Sequence, residues 1–520
     1  MRVLNFVFLS ILVSAVFAQK APKNIIVFIS DGGGYNHVLA TDYYLMGDSG
    51  TAPFADFPVQ MGMSTYSASN ENGSTTSYDT RLAWTDFSYN TDGYTESAAS
   101  ATAMATGYKT MNGRVGTSHN GIPMTNVSEI ARRRGKAYGV VTSVQFNHAT
   151  PAGFLVHNMS RNNYDALAWE MILSSGADVI MGAGSPYHDN DGLEVDTPCF
   201  YQFGSESLYT YLLENNHTYD DQLVASGGGS NWVFSSSRLV VQEIARGKNV
   251  PSRLFVLAPV AKTLSQLRSD TSYIPGDNRI NENIPSLKEM SLAALQVLSQ
   301  DREGFFLMIE GGAIDWANHD NYKTRMIEEY ASFYQTVEAV IHFLEVKGIL
   351  DETMIIITSD HECGNLWGPG SEDNNFVLPK NQGLGNIPEM EYYSTDHSNQ
   401  LVPFYAKGPG SEIYLQFADE VDSVRGSYIT NSEVALGIKM LWGNTTYVYE
   451  AFRDSAGAPR YLIATAPCPN AKFQWYFNGL EAEGVSGWKI DVSSAEPGTV
   501  FECYVTCGEI VYKSNKFVLK

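Results

Sequence analysis

Residues 305–319 read Phe-Phe-Leu-Met-Ile-Glu-Gly-Gly-Ala-Ile-Asp-Trp-Ala-Asn-His. An unbroken apolar run closed by a glutamate and a Gly-Gly pair predicts a strand buried on both faces, followed by a sharp turn. Beyond the turn, Asp315 and His319 stand four apart, which puts both on one helix face and lets them reach one ion. A buried strand that ends in a carboxylate, with two metal-type ligands just after it, suits an open α/β sheet whose site lies at the carboxyl ends of its strands.

Three further runs repeat this texture. Asn24 to Ile29 stops two residues before Asp31, itself followed by Gly32-Gly33-Gly34. Tyr138 to Val144 precedes His148-Ala149-Thr150-Pro151, and Thr353 to Ile357 leads to Asp360-His361. Stretches with helical period lie between them, at Met124 to Arg134, Ser286 to Gln300 and Thr324 to Val346, and again at Asn431 to Trp442. Strands alternating with helices predict a doubly wound, mostly parallel sheet with helices on both faces. From Asn444 onward the texture changes to short β-like runs: 447–452, 461–466, 472–477, 488–492, 500–507 and 510–519. These predict a small all-β sandwich over 444–520. Its segment Gly498 to Cys503, with Trp475 before it, resembles the late strand of an immunoglobulin-like domain. Cys468 and Cys507 would fall in loops at one end of that sandwich and are expected to pair. No internal repeat is present, and the polar stretch Ser64 to Thr91 reads as a long loop near the site.

Arg2, the apolar Val3 to Val16 and the small Ala18 form the pattern of a signal peptide over residues 1–18. The rest, from 19 to 443 and then the β-module, is expected to be exported, periplasmic or extracellular. No other run approaches the length needed to span a bilayer. The net charge of −23 excludes a nucleic-acid binder, whose target demands a basic surface. An acidic surface also repels anions at long range, so any anion site here needs local positive charge, for which metal ions are the obvious source.

Thr95-Glu-Ser-Ala-Ala-Ser-Ala-Thr-Ala-Met-Ala-Thr-Gly107 is helix-forming, with Thr95 offered as its cap and Gly107 as its terminator. Ser97 falls in the first turn, where open N–H groups and the helix dipole favour an anion; the same residues would also serve as a small-residue helix packed closely on the sheet. His397, in Thr395-Asp396-His397-Ser398, completes a scattered set of oxygen and imidazole ligands. Each alone has a structural reading, as a turn aspartate or a satisfied core histidine. Together they form a set.

In chain order, Asp31 to Gly34, Glu96 to Ala103, the Glu-Gly-x-x-Ile-Asp-x-x-x-His run of 310–319, Ser359-Asp360-His361 and His397 resemble the alkaline phosphatases, over roughly Lys23 to Trp442. The resemblance implies a broad phosphate-monoester hydrolase working through a phosphoserine on Ser97. It implies one Zn²⁺ held by Asp315, His319 and His397, and a second held by Asp31, Asp360 and His361 that also takes the Ser97 oxygen. Mg²⁺ would be held by Asp31, Thr150 and Glu310, and Arg161 would clamp two phosphoryl oxygens in a bidentate way. Three ions and Arg161 set against the four carboxylates leave about three positive charges, which a serine alkoxide and a monoester dianion cancel; a diester, with one charge, fits less well.

Three positions depart from the best-known bacterial pattern. Glu96 replaces an aspartate that orients the arginine, His148 stands where aspartate or histidine occurs near magnesium, and Trp316 replaces a charged or histidine residue near the phosphate. His157, four before Arg161, is expected to support the site from behind. His37, His119, His188, His217 and His342 read as structural. The rival readings are a diesterase or another hydrolase of the same superfamily, and a non-catalytic protein that displays the β-module to a surface or carbohydrate partner. A sulfatase would need a Cys/Ser-x-Pro-x-Arg segment, which Ser97 does not begin. A homodimer follows only from the habit of the family, since the interval from His361 to His397 is short for its interface insertion.

Overall fold

In the computed structural model the described residues are 21–68, 77–215, 217–218, 232–269, 274–276, 281–372, 375–451 and 460–519. The expected signal peptide at 1–18 lies outside them, as does 69–76 of the polar stretch.

One sheet of twelve strands organises the molecule. Across it run Glu420–Asp422, Gly426–Thr430, Val59–Ser64, Val402–Lys407, Thr353–Thr358 and Asn24–Ile29. Phe305–Glu310, Ala137–Gln145, Val179–Ala183, Leu254–Leu257, Val233–Ser235 and His217–Thr218 follow. The four expected strands lie side by side at its centre. From Thr353–Thr358 to the His217 edge every pairing is parallel. Val402–Lys407 runs antiparallel to both of its neighbours. The register sets Ile29 opposite both Glu310 and Thr358, and Glu310 opposite Thr142, so these strands finish at one level.

All six residues of Asn24–Ile29 are buried. Ile25, Val27 and Ile29 enter one core while Ile26 and Phe28 enter the other, which is how a strand covered on both faces uses its two-residue alternation. Helices Ser97–Thr106, Val127–Arg133, Ala149–Leu155 and Ser432–Trp442 cover the first face, and Leu287–Leu298 and Lys323–Lys347 the second. The helix expected from Ser286 starts there: Ser286 Oγ accepts from Glu289 N (3.2 Å), and the Glu289 carboxylate accepts from Ser286 N (2.9 Å). None of the described helices is long and apolar enough to cross a membrane.

The C-terminal residues form two antiparallel sheets, one of three strands and one of five, around Trp475, Leu462 and Phe501. Cys468 and Cys507 are bonded to each other, and Cys503 is free and buried. Two backbone hydrogen bonds stitch this module to the main body, Thr125 N to Ala466 O (2.9 Å) and Ala466 N to Pro123 O (2.8 Å). The polar stretch 64–91 is less of a loop than its composition implies, since Leu82–Thr85 and Phe87–Thr91 are helical turns.

Candidate active site

The rim at the carboxyl ends of the central strands gathers the ligand-type residues. Glu310 is the last residue of its strand, and Asp31 and Asp360 follow theirs by two. Gly32, at φ +72°, must be glycine: a Cβ there would stand 2.7 Å from Asp315 Cα. Helix Ala313–His319 supplies Asp315 and His319, while His397 arrives on a two-residue strand paired with Glu362–Cys363.

Three groups form, each with ligand atoms within 4.8 Å of one another: Asp315, His319 and His397 with Cys363; Asp31, Asp360 and His361; and Asp31, Glu310 and His148. In the first, His319 Nε2 is 3.3 Å and His397 Nε2 3.5 Å from Asp315, and the two Nε2 atoms are 3.2 Å apart. His397 Nδ1 donates to Thr95 O at 2.8 Å, and His319 Nδ1 donates to Thr395 O. Both imidazoles therefore turn Nε2 toward Asp315 and toward each other, so that with those nitrogens deprotonated the three side chains could hold one cation. In the second group His361 Nε2 is 3.2 Å from Asp360 and 3.5 Å from Asp31. Both Asp31 oxygens, Glu310 Oε1 and Asp360 Oδ2 are buried without a hydrogen-bond partner among the described residues. Thr150 is fully buried beside Glu310.

Burial, then the neighbouring carboxylates Asp360, Asp315 and Glu310, push the Asp31 pKa well above the carboxylate range. Burial lifts Glu310 to about 7, and burial followed by Asp315 lifts Asp360 to about 6. Asp315 goes the other way, because His319 and His397 overcome its burial and hold it well below that range. A buried rim with this many acidic groups is unfavourable by itself and suits hard or borderline cations.

Ser97 opens its helix with Oγ 3.2 Å from His361 Nε2. The cap is Glu96, not the expected Thr95. The Glu96 carboxylate accepts from Ala98 N (3.0 Å), Ala99 N (2.7 Å) and Gly113 N (2.7 Å). It thus takes amides that were expected to lie open to an anion. The same carboxylate pairs with Arg161. Arg161 Nη2 donates to His148 Nε2 at 3.1 Å, and burial together with Arg161 lowers the His148 pKa to about 3, so that ring is neutral. Ser100 Oγ donates to Asp360 O (2.6 Å) and accepts from Asn431 Nδ2 (2.7 Å), tying the serine helix to the rim. Gly107 ends the helix as expected, at φ +79°.

In front of Ser97 opens a cavity of about 530 Å³, lined also by Arg161, His148, Trp316, His319 and His397. Sequence reasoning missed Cys363, whose Sγ contacts Asp315 O at 3.8 Å, along with the cavity residues Tyr94, Lys262, Asp320 and Asp396. Cys363 had a readable signal, its place two residues after His361.

His157 is a correction. Its ring sits against the β-module, with Nδ1 3.2 Å from Tyr449 Oη, Nε2 3.0 Å from Met124 O, and Glu170 and Glu129 at 3.6 and 3.8 Å. Burial alone would lower its pKa, but Glu129 and Glu170 outweigh burial and raise it to about 8 from 6.5. The folded state therefore favours the imidazolium. That stabilisation is complete below about pH 6.5 and is lost as pH rises through 8. Denaturant unfolding of the native protein and of His157→Gln should show a stability gap about 2 kcal/mol larger near pH 6 than near pH 9. An equal gap at both would contradict the assignment.

The family model described as alkaline phosphatase matches residues 22–191 and 267–429. Those stretches contain Ser97, Arg161 and all eight expected ligands. Alkaline phosphatase 4 of Bacillus subtilis is 29% identical over 466 residues, covering 77% of this chain and 87% of that protein. Alkaline phosphatase of Escherichia coli is 25% identical over 448 residues, covering 81% and 88%. Among solved structures, alkaline phosphatase from the Antarctic bacterium TAB5 matches with a TM-score of 0.55 at 22% identity, covering 82% of this chain and 98% of that one, a likeness of fold.

Proposed function

The chain belongs to the alkaline phosphatase family, and from that premise we propose that it releases inorganic phosphate from a broad range of phosphate monoesters through a phosphoserine on Ser97. The observation that carries this reading is the place of Ser97 Oγ, 3.2 Å from His361 Nε2, on the cavity wall that also holds Arg161.

The donor sets fit metals: Asp315, His319 and His397 would hold one Zn²⁺, Asp31, Asp360 and His361 another, and Asp31, Thr150 and Glu310 Mg²⁺, with His148 beside that third position. Bound there, the ions supply charge neutralisation at the attacking and departing oxygens and lower the pKa of the serine hydroxyl and of the hydrolytic water. The chain's own residues do the rest. Arg161 donates to two non-bridging phosphoryl oxygens, and Glu96 holds the guanidinium in place while capping the helix that presents Ser97. Ser97 Oγ attacks phosphorus in line; the Oγ–P bond forms, the P–O bond to the alcohol breaks, and the alcohol leaves with a proton. Water then attacks phosphorus from the vacated side, and Ser97 regains its hydroxyl proton as phosphate departs. Hydrogen bonds from His319 and His397 to backbone carbonyls hold both rings ready for their ion. Trp316, rather than a charged residue, lines the cavity and should loosen product phosphate.

Export through the leader at 1–18, and separate units at 19–443 and 444–520, belong to the same proposal. The test is a comparison of an aryl phosphate with its bis-aryl ester. The monoester should be favoured in kcat/KM by roughly 10²–10³, the effect of charge stabilisation realised in the transition state. A faster diester rate would move the chain to the diesterase reading.

A further inference from the structure

The cavity in front of Ser97 is much larger than a phosphoryl group, and its wall includes Trp316, Leu267 and Lys262. Lys262 lies between the two stretches matched by the family model, so the resemblance assigns it nothing. The segment that carries it is fastened at many points. Ala258 N donates to Gly182 O (2.8 Å), Ala261 N to Asp189 O (3.0 Å), Lys262 N to Asn190 Oδ1 (3.2 Å) and Leu264 N to Ser143 O (2.9 Å). Gln266 Nε2 donates to Asp320 Oδ2 at 3.0 Å, binding the segment to the residue just after helix Ala313–His319. No hydrogen bond or ion pair engages the Lys262 ammonium among the described residues.

An unpaired cation held by a fixed backbone on the wall of a cleft focuses field there, and in a chain of net charge −23 it is conspicuous. Resting on the phosphatase reading above, we infer that Lys262 is a specificity residue: it selects monoesters whose leaving group carries a further anionic group, a carboxylate or a second phosphoryl. The reacting phosphoryl sits at Ser97 and Arg161, and the leaving group extends past Trp316 and Leu267 toward Lys262. Asp320 and Asp396 also line the cavity and disfavour a second anion elsewhere on its wall; Gln266 already engages one oxygen of Asp320.

The experiment compares 4-carboxyphenyl phosphate with 4-carbamoylphenyl phosphate, a neutral analogue of similar size. In the native enzyme at low salt the carboxylate should be preferred about three- to fivefold in kcat/KM, mainly through KM, the strength of an exposed charge pair. The preference should shrink at high ionic strength. It should vanish in Lys262→Met and persist in Lys262→Arg. A preference that survives in Lys262→Met overturns the assignment. A native enzyme that hydrolyses neither compound overturns instead the phosphatase reading beneath it.

Discussion

Ser97→Ala is expected to lower kcat for an aryl phosphate by a factor on the order of 10⁴ or more, since removing a nucleophile disables the unit of residues that acts with it. The fold should survive. Ser97 is the first residue of its helix, and the bonds that fix that helix belong to its neighbours: the cap from Glu96, the Ser100 links to Asp360 and Asn431, and the Gly107 terminus. Substrate should still bind, because Arg161 and its Glu96 partner are untouched. The variant should therefore combine near-native thermal stability and product-phosphate affinity with a collapsed kcat. Retained turnover would remove Ser97 from the mechanism, whatever the fate of the other residues.

Metal removal is the second large effect. Exhaustive chelation should abolish hydrolysis and lower Tm on the order of 10 °C, with both restored by Zn²⁺ and Mg²⁺, because ions bound only by the folded state add to its stability. The direction with pH is set by the rim carboxyls. Without ions, Asp360 and Glu310 hold protons in the folded state to about 6 and 7. The unfolded chain releases those protons at lower pH, so the apo protein loses stability as pH climbs through that window. Binding of ions expels the same protons. The gap in Tm between loaded and stripped protein should thus widen from about pH 4 to pH 7, and further toward pH 9 as His319, whose burial is outweighed by Asp315 and whose pKa is raised to about 9, loses its proton in the stripped protein. A gap that narrows over that range, or stripped protein that stays active, would contradict the assignment of these carboxyls as ligands.

Much of the molecule is legible before folding. The central strands are unbroken apolar runs because both faces are covered, and their ends carry the acids because open α/β sheets expose their carboxyl ends to the ligand. The strands outside the central four are harder. Leu254–Leu257 is too short to be told from a helix fragment, and Val402–Lys407 carries Pro403, which counts against a strand. The cap went to Glu96 because its longer side chain reaches two amides and Arg161 at once, which cap preferences do not anticipate. His157 was misplaced for a plain reason. A spacing of four means one face only on a helix, and this helix stops at Leu155, with Val156 already extended. Lys262 carries no local signal at all. It reaches the cavity through a segment whose partners, Asn190, Ser143 and Asp320, are scattered along the chain.

The proposed catalysis passes through a covalent bond at one hydroxyl. Mixing native enzyme with a fast aryl phosphate, quenching in acid and mapping the peptides should place one phosphoryl group on the peptide that holds Ser97. The label should be absent from Ser97→Ala and should turn over when the quench is delayed. A phosphoryl group on any other residue, or full turnover with no trapped phosphopeptide under conditions that hold a phosphoserine intact, would contradict it.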